Sequence, residues 1–365
     1  MGATTDPAPD RRQCSGKPFG RPPVTLPARL RFVELPYGSF AFVMATGILS
    51  IATGLVGWIW LSQALFALNV AAFPTLLLLL LMRVVRNPAA IAEDLADDRQ
   101  APAMLTIVAG TCVLGSEIAL SGAHRTVAAG FWAAAAILWV GLLYAIAGAM
   151  TIRPTKLQIA RRIDGAWLLA VVATEALAIL TTHMAGSILP SQPAVFASLC
   201  LFLLGGAFYL FLLVLIVYRW IFLPMRPLDL GRTYWINMGA AAIAALAGTR
   251  LATAVGADAA LAPVRGFVFT ATVLFWSLAS WWIPLLCALT LWRHRNGVSI
   301  RYRLENWSMV FPLGMYTTAT WRFSHEFGFR FLDIVPEMFV WVALAAWGLN
   351  FIGLLRAATR WPAPS

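Results

Sequence analysis

The sequence predicts an all-α integral membrane protein. Ten transmembrane helices pair as five hairpins in a pseudo-five-fold bundle, with a central pore lined by the odd-numbered helices. Three observations lead there. Of 365 residues, 60% are hydrophobic and only 12% charged, with a mean hydropathy of +0.77. Soluble domains carry about 25% charged residues, and a single soluble core stops growing near ~250–300 residues. Apolar runs near the length a helix needs to cross the hydrocarbon recur ten times. Lys and Arg then concentrate in alternate breaks between those runs, as topology signals do.

Taken in order, residues 1–31 are rich in Pro and Arg and lack an apolar stretch, so they read as a disordered cytoplasmic tail and not as a signal peptide. Residues 32–357 form the membrane domain, and 358–365 close the chain as a short cytoplasmic tail. The spans are placed near 38–60, 64–85, 102–122, 127–150, 165–186, 194–221, 234–256, 264–292, 306–325 and 332–357. Backbone polar groups must be paired in lipid, and the runs are too long for barrel strands, so the spans are helices. Arg11, Arg12, Lys17, Arg21, Arg29 and Arg31 precede span one; Arg83, Arg86 and Arg99 follow span two. Arg153, Lys156, Arg161 and Arg162 follow span four, Arg219, Arg226 and Arg232 follow span six, and Arg293, Arg295, Arg301 and Arg303 follow span eight. Arg356 and Arg360 lie at the end, whereas the opposite loops hold only Arg125, Arg265, Arg322 and Arg330. Both termini are therefore expected in the cytoplasm of a plasma-membrane protein.

This distribution also disposes of nucleic acid as a partner, since the net charge of +11 sits in loops between spans and not on a soluble module. The four cysteines, Cys14, Cys112, Cys200 and Cys287, are far apart, and the four histidines lack metal-ligand spacing. No cofactor and no metal are expected. An integral-membrane enzyme would need a nucleophile, a base and an orienting group in one cluster, and none is legible.

The odd spans are more polar than the even ones. In span one Ser39, Thr46, Ser50 and Thr53 share a helical face, with Gly47 and Gly54 beside it. Thr106, Gly110 and Glu117 share a face in span three; Thr174, Glu175, Thr181 and Thr182 cluster in span five; span seven carries Asn237. Small and hydroxylated residues also mark ordinary helix contacts in membranes. Their concentration in the odd spans favours a conduit. Ionisable residues inside spans are costly and point to function: Glu117 and Arg250 in the outer third, and Glu175 nearer the midplane. Interhelical pairing is the competing role.

Span nine contains WSMVFPLGMYTTATWRF, in which Phe311, Gly314, Thr318 and Arg322 share one face. Pro312 removes a backbone donor and disturbs the turn before it. One bulky apolar ring beside that proline can close a pore by occlusion and dewetting. Arg322 would raise anion concentration at the outer mouth.

With Trp307 followed by Phe311-Pro312-Leu313, span nine resembles the ninth helix of the tellurite-resistance/dicarboxylate transporter family, and LPYGSFAFVMATGILSIAT is similar to that family's opening helix. The family includes TehA-type channels, plant slow anion channels and fungal malate permeases. The resemblance covers about residues 32–357. It implies a pore through the five odd helices with Phe311 as the occluding ring, proline-kinked inner helices (Pro36, Pro102 and Pro312 match), and a homotrimer with one pore per subunit. The function expected is a channel or transporter for small anions, inorganic or C4-dicarboxylate such as malate. The alternative is a proton-coupled dicarboxylate or tellurite-related exporter using Glu175.

Overall fold

The computed structural model describes residues 36–122, 124–153, 163–299 and 302–359. The tail expected over 1–31, together with Cys14, Lys156, Arg161, Arg162, Arg301 and Arg360, lies outside them. The ten spans are the helices Phe40–Leu55, Ile59–Arg86, Ala101–Ser121, Arg125–Ile152, Leu169–Met184, Ser191–Phe222, Ile236–Gly256, Arg265–Arg295, Trp307–Phe327 and Ile334–Thr359. Short 3-10 turns lead into spans one, five, seven and nine, at Tyr37–Ser39, Gly165–Leu168, Arg232–Trp235 and Leu304–Asn306.

The odd spans form a closed ring. Span one packs on span three, three on five, five on seven, seven on nine, and nine returns to one. Each even span lies outside its hairpin partner, and spans two, four, six, eight and ten also touch the next odd helix round the ring. Burial follows: 78–83% of the most apolar stretch is buried in spans one, three, five and seven, against 11–33% in the even spans. An apolar side chain gains nothing by leaving lipid for a protein interior. The even helices can therefore be hydrophobic all round, while the inner ring must be held by packing and hydrogen bonds. Among the described residues nine helices are long and apolar enough to cross a membrane on composition alone; Trp307–Phe327 is not one of them. Its flanks meet spans one, seven and ten, and 311–320 is an unbroken buried run, so this helix never has to satisfy lipid.

Two local features differ from the sequence reading. Span one ends at Leu55 and span two starts at Ile59, not at 60 and 64, because Gly57 turns the chain at φ +90°. That conformation strains any residue with a Cβ, and the apolar Trp58-Ile59-Trp60 belongs to the turn and the next helix. A short helix, Pro88–Ala96, was not expected. Asn87 caps it by accepting from the Ala90 N–H (3.3 Å), and Pro88 occupies the first turn, where its missing donor costs nothing. It is docked by Asp94, which accepts from the Tyr37 hydroxyl (2.8 Å) and pairs with Arg83.

Candidate permeation path

The first turns of the inner helices surround a cavity of about 1160 Å³ at the end of the bundle where the basic loops gather. Gly38, Thr106, Leu169, Ile236 and Ser308, one from each inner strand of chain, lie on its wall. All five inner helices point their N-termini into it, and each such end carries roughly half a positive charge. Side-chain charges nearly cancel: Arg99, Arg219, Arg293 and Arg303 face Asp98, Asp164, Asp229 and Glu305. Burial pushes the Asp164 carboxyl above its usual range, against hydrogen bonds from the Ala166 N–H (2.9 Å) and the Thr233 hydroxyl (3.1 Å). Asp229 is held low by the Arg226 guanidinium 3.0 Å away.

Contacts fix the orientation of span nine at about 100° per residue. Gly314 abuts Ile48 and Leu49 of span one, Pro312 lies against Gly239 of span seven, and Tyr316 and Thr320 hydrogen-bond Ser280 and Trp276 of span eight. The remaining face, towards the bundle axis, carries Phe311, Met315, Thr318 and Arg322. Phe311 is 2% exposed, one turn past Ser308 of the cavity wall. Pro312 cannot donate to the carbonyl four residues back, so the Ser308 carbonyl is freed at the head of the cavity. The Thr318 hydroxyl is buried without a hydrogen-bond partner.

Most of the Ser/Thr stripes, expected on the pore, face outward. Thr46 accepts from the Trp347 indole of span ten (3.0 Å), and Ser50 donates to the Ser62 carbonyl of span two (3.0 Å). Ser39 and Thr53 share that face by heptad spacing, and the Thr53 hydroxyl folds back on the Leu49 carbonyl (2.8 Å). Thr174 and Thr181 accept from Trp139 and Trp132 of span four, at 2.9 and 3.0 Å, and Thr182 meets Ser198 of span six (2.7 Å). Asn237 lies eleven residues before Gly248, on the face that meets Phe202 and Thr272 of the outer spans. Gly110 packs on Phe40 and Val43 of span one. Thr106 does reach the cavity wall, where its hydroxyl donates to the Tyr37 carbonyl (2.8 Å). The physical reason is common to all. Hydroxyls and small residues are what the inner helices need against the indoles and backbones of the outer ones. Opposite those stripes, span one presents Met44, Ile48, Ile51 and Leu55, and span five presents Leu169, Val172, Ala176 and His183, so the axis is mostly apolar.

The two glutamates also leave the axis. Glu117 accepts from the Asn69 side chain of span two (2.6 Å) and rests against Gly47. Glu175, fully buried with neither oxygen partnered, lies against Gly205 of span six, where an added Cβ would come within 2.4 Å of it. Arg250 donates to His183 Nε2 (2.8 Å) near Arg322 at the far end of the path. The prolines need the same correction: Pro36 and Pro102 start helices, and Pro312 alone of the three is inside one. The sequence did carry a signal for the outward stripes, in the tryptophans of spans four, eight and ten that supply their donors.

A family model described as voltage-dependent anion channel matches residues 34–355. An uncharacterized membrane protein of Mycobacterium tuberculosis is 40% identical over 144 residues, 39% of this chain and 72% of its own length. An uncharacterized transporter of Methanocaldococcus jannaschii is 24% identical over 326 residues, 86% of this chain and 92% of its own. A sulfite efflux pump of Trichophyton rubrum is 30% identical over 91 residues, 25% of this chain and 24% of its own.

Proposed function

We propose that this chain, which belongs to the voltage-dependent anion channel family, passes small anions along the axis of its inner ring, and that Phe311 closes that path. The observation that carries the reading is the position of Phe311: on the axial face, one turn beyond a wide cavity that five helix N-termini make attractive to anions. Such a cavity concentrates anions without binding them tightly. The apolar constriction that follows excludes water while the ring is in place. An anion that sheds water readily would cross it most easily. Nitrate and sulfite are the leading substrates, sulfite because of the resemblance to an efflux pump for it; malate and other C4-dicarboxylates follow from the family resemblance, and tellurite belongs to the proton-coupled exporter reading. The ring of inner helices is complete within one chain, so a trimer, which the resemblance implies, would hold three separate paths. A plasma-membrane location with both termini cytoplasmic puts the cavity on the inside.

A proton-coupled exporter working through Glu175 would need that carboxyl on the path, and it lies instead between spans five and six. No observation favours it. Liposome flux with chloride, nitrate, sulfite, malate and tellurite, with and without a pH gradient, tests both readings. Electrogenic flux of the inorganic anions that ignores the gradient, in wild type and in Glu175→Gln alike, is the expected result. Flux that stops without the gradient, or in Glu175→Gln, would establish the exporter.

A further inference from the structure

The far mouth of the path has a charge problem. The inner helices that direct N-termini into the cavity direct their C-terminal carbonyls outward here, and those ends are partly negative. A bare mouth of this kind would repel the ions the cavity attracts. Three side chains lie within electrostatic range of one another there: His183 of span five, Arg250 of span seven and Arg322 of span nine. Arg250 lies eleven residues past Gly239, the glycine that touches Pro312, and so shares the face that span seven turns toward span nine. Its Nη2 donates to His183 Nε2 at 2.8 Å. Guanidinium can only donate, so Nε2 is the acceptor, the imidazole is neutral, and its proton sits on Nδ1. That Nδ1–H is buried and has no acceptor. Among the described residues neither guanidinium forms an ion pair with a carboxylate. Glu326, one turn beyond Arg322, is within Coulombic range of both arginines but not paired with either, and Asp333 is taken up by Ser324, His325 and Arg330. Arg322 instead lies over the Trp321 ring, 5.3 Å from its centroid.

Two like charges and a spare donor, with no paired carboxylate among the described residues, form an incomplete site. We propose that His183, Arg250 and Arg322 bind a small oxyanion at the outer mouth, and that this site gives the path a preference for oxyanions over halide. The inference rests on the reading of the axis as an anion path. The chemistry is specific: a guanidinium fork matches two oxygens of one planar or pyramidal oxyanion, whereas chloride can use only its charge. Nitrate and sulfite are the simplest probes. Dicarboxylates offer the same pair of oxygens with a larger body to bring past Phe311.

Binding and flux are measured separately, on detergent-purified and on reconstituted full-length chain. By calorimetric titration, nitrate should bind saturably and about tenfold or more tighter than chloride. Arg250→Gln and Arg322→Gln should each weaken nitrate at least tenfold. Arg322→Lys, which keeps charge and length and so should fold even where the Gln variants do not, should retain chloride binding while losing most of the advantage of nitrate. In flux, the same variants should raise the half-saturating nitrate concentration when the anion is supplied from the arginine side. Nitrate binding no tighter than chloride, or unaltered by Arg322→Lys, overturns the site. Anion flux without that preference would leave the path standing and the site refuted; nitrate binding without any flux would do the reverse.

Discussion

At the scale of single residues, the decisive side chain is Phe311. A phenylalanine that fills a protein core and one that plugs a lumen are equally buried, so its 2% exposure does not separate them. The proposal that it plugs the path draws on its surroundings. Trp307, Phe323 and Tyr316 of the same helix each meet another ring, Phe42, Trp276 and Phe339 respectively. Among the described residues Phe311 has no aromatic partner. Truncating a core Phe costs about 3–5 kcal/mol of stability. Truncating a plug lowers a barrier, and each ~1.4 kcal/mol removed raises flux about tenfold. The two accounts differ in sign. Phe311→Ala is expected to increase anion current at near-normal expression, with Phe311→Leu in between, measured by bilayer recording. Less current together with poor expression would make Phe311 a packing residue.

At the scale of elements, the seams between hairpins have their own chemistry. Outer-helix indoles donate to inner-helix threonines at Trp139–Thr174, Trp132–Thr181, Trp276–Thr320 and Trp347–Thr46. Each joins an even span to the next hairpin round the ring, where no short loop holds them together. Interhelical hydrogen bonds in membranes average about 0.6 kcal/mol, rarely above about 1.7. Trp139→Phe and Thr174→Val should each lower thermal stability by about 1 kcal/mol, and the double mutant by less than their sum, with ion selectivity unaltered. A change in selectivity in Thr174→Val would return that threonine to the path. The same seams explain what could be read in the sequence. The number of spans and their inner or outer place were legible, because apolar length and the polarity of the spans leave one-dimensional signals. The facing of the stripes was not. Thr46, Ser50 and Thr174 look alike whether the partner is water or an indole on another helix, and only the partner decides. Phe311 and Pro312 were marked by their place on a polar inner span and not by the pair itself, which recurs as Phe73-Pro74 inside outer span two.

At the scale of the whole molecule, the order of the hairpins sets the field. Every odd span runs the same way, so five helix dipoles add along one axis: their positive ends converge on the cavity and their negative ends on the mouth that holds Arg250 and Arg322. With four arginines and four carboxylates on the cavity wall, the net sign there is set by helix ends and is easily tipped by one titration. Asp164 is the carboxyl to tip it. Burial raises it above its usual 3.8, while Arg226 holds Asp229 low, so on acidification Asp164 takes its proton well before Asp229. Losing that negative charge makes the cavity more positive and more attractive to anions. Stability moves the same way. Folding disfavours the charged form of Asp164, so its cost is present above the folded pKa and relieved as pH falls through it. Anion conductance from the cavity side should therefore rise as pH on that side is lowered toward the ordinary carboxylate range. Asp164→Asn, which can still accept from the Ala166 N–H, should show the higher conductance already at pH 7 and a flatter pH profile. A wild-type profile retained in Asp164→Asn would place the titrating group elsewhere and remove Asp164 from the field of the cavity.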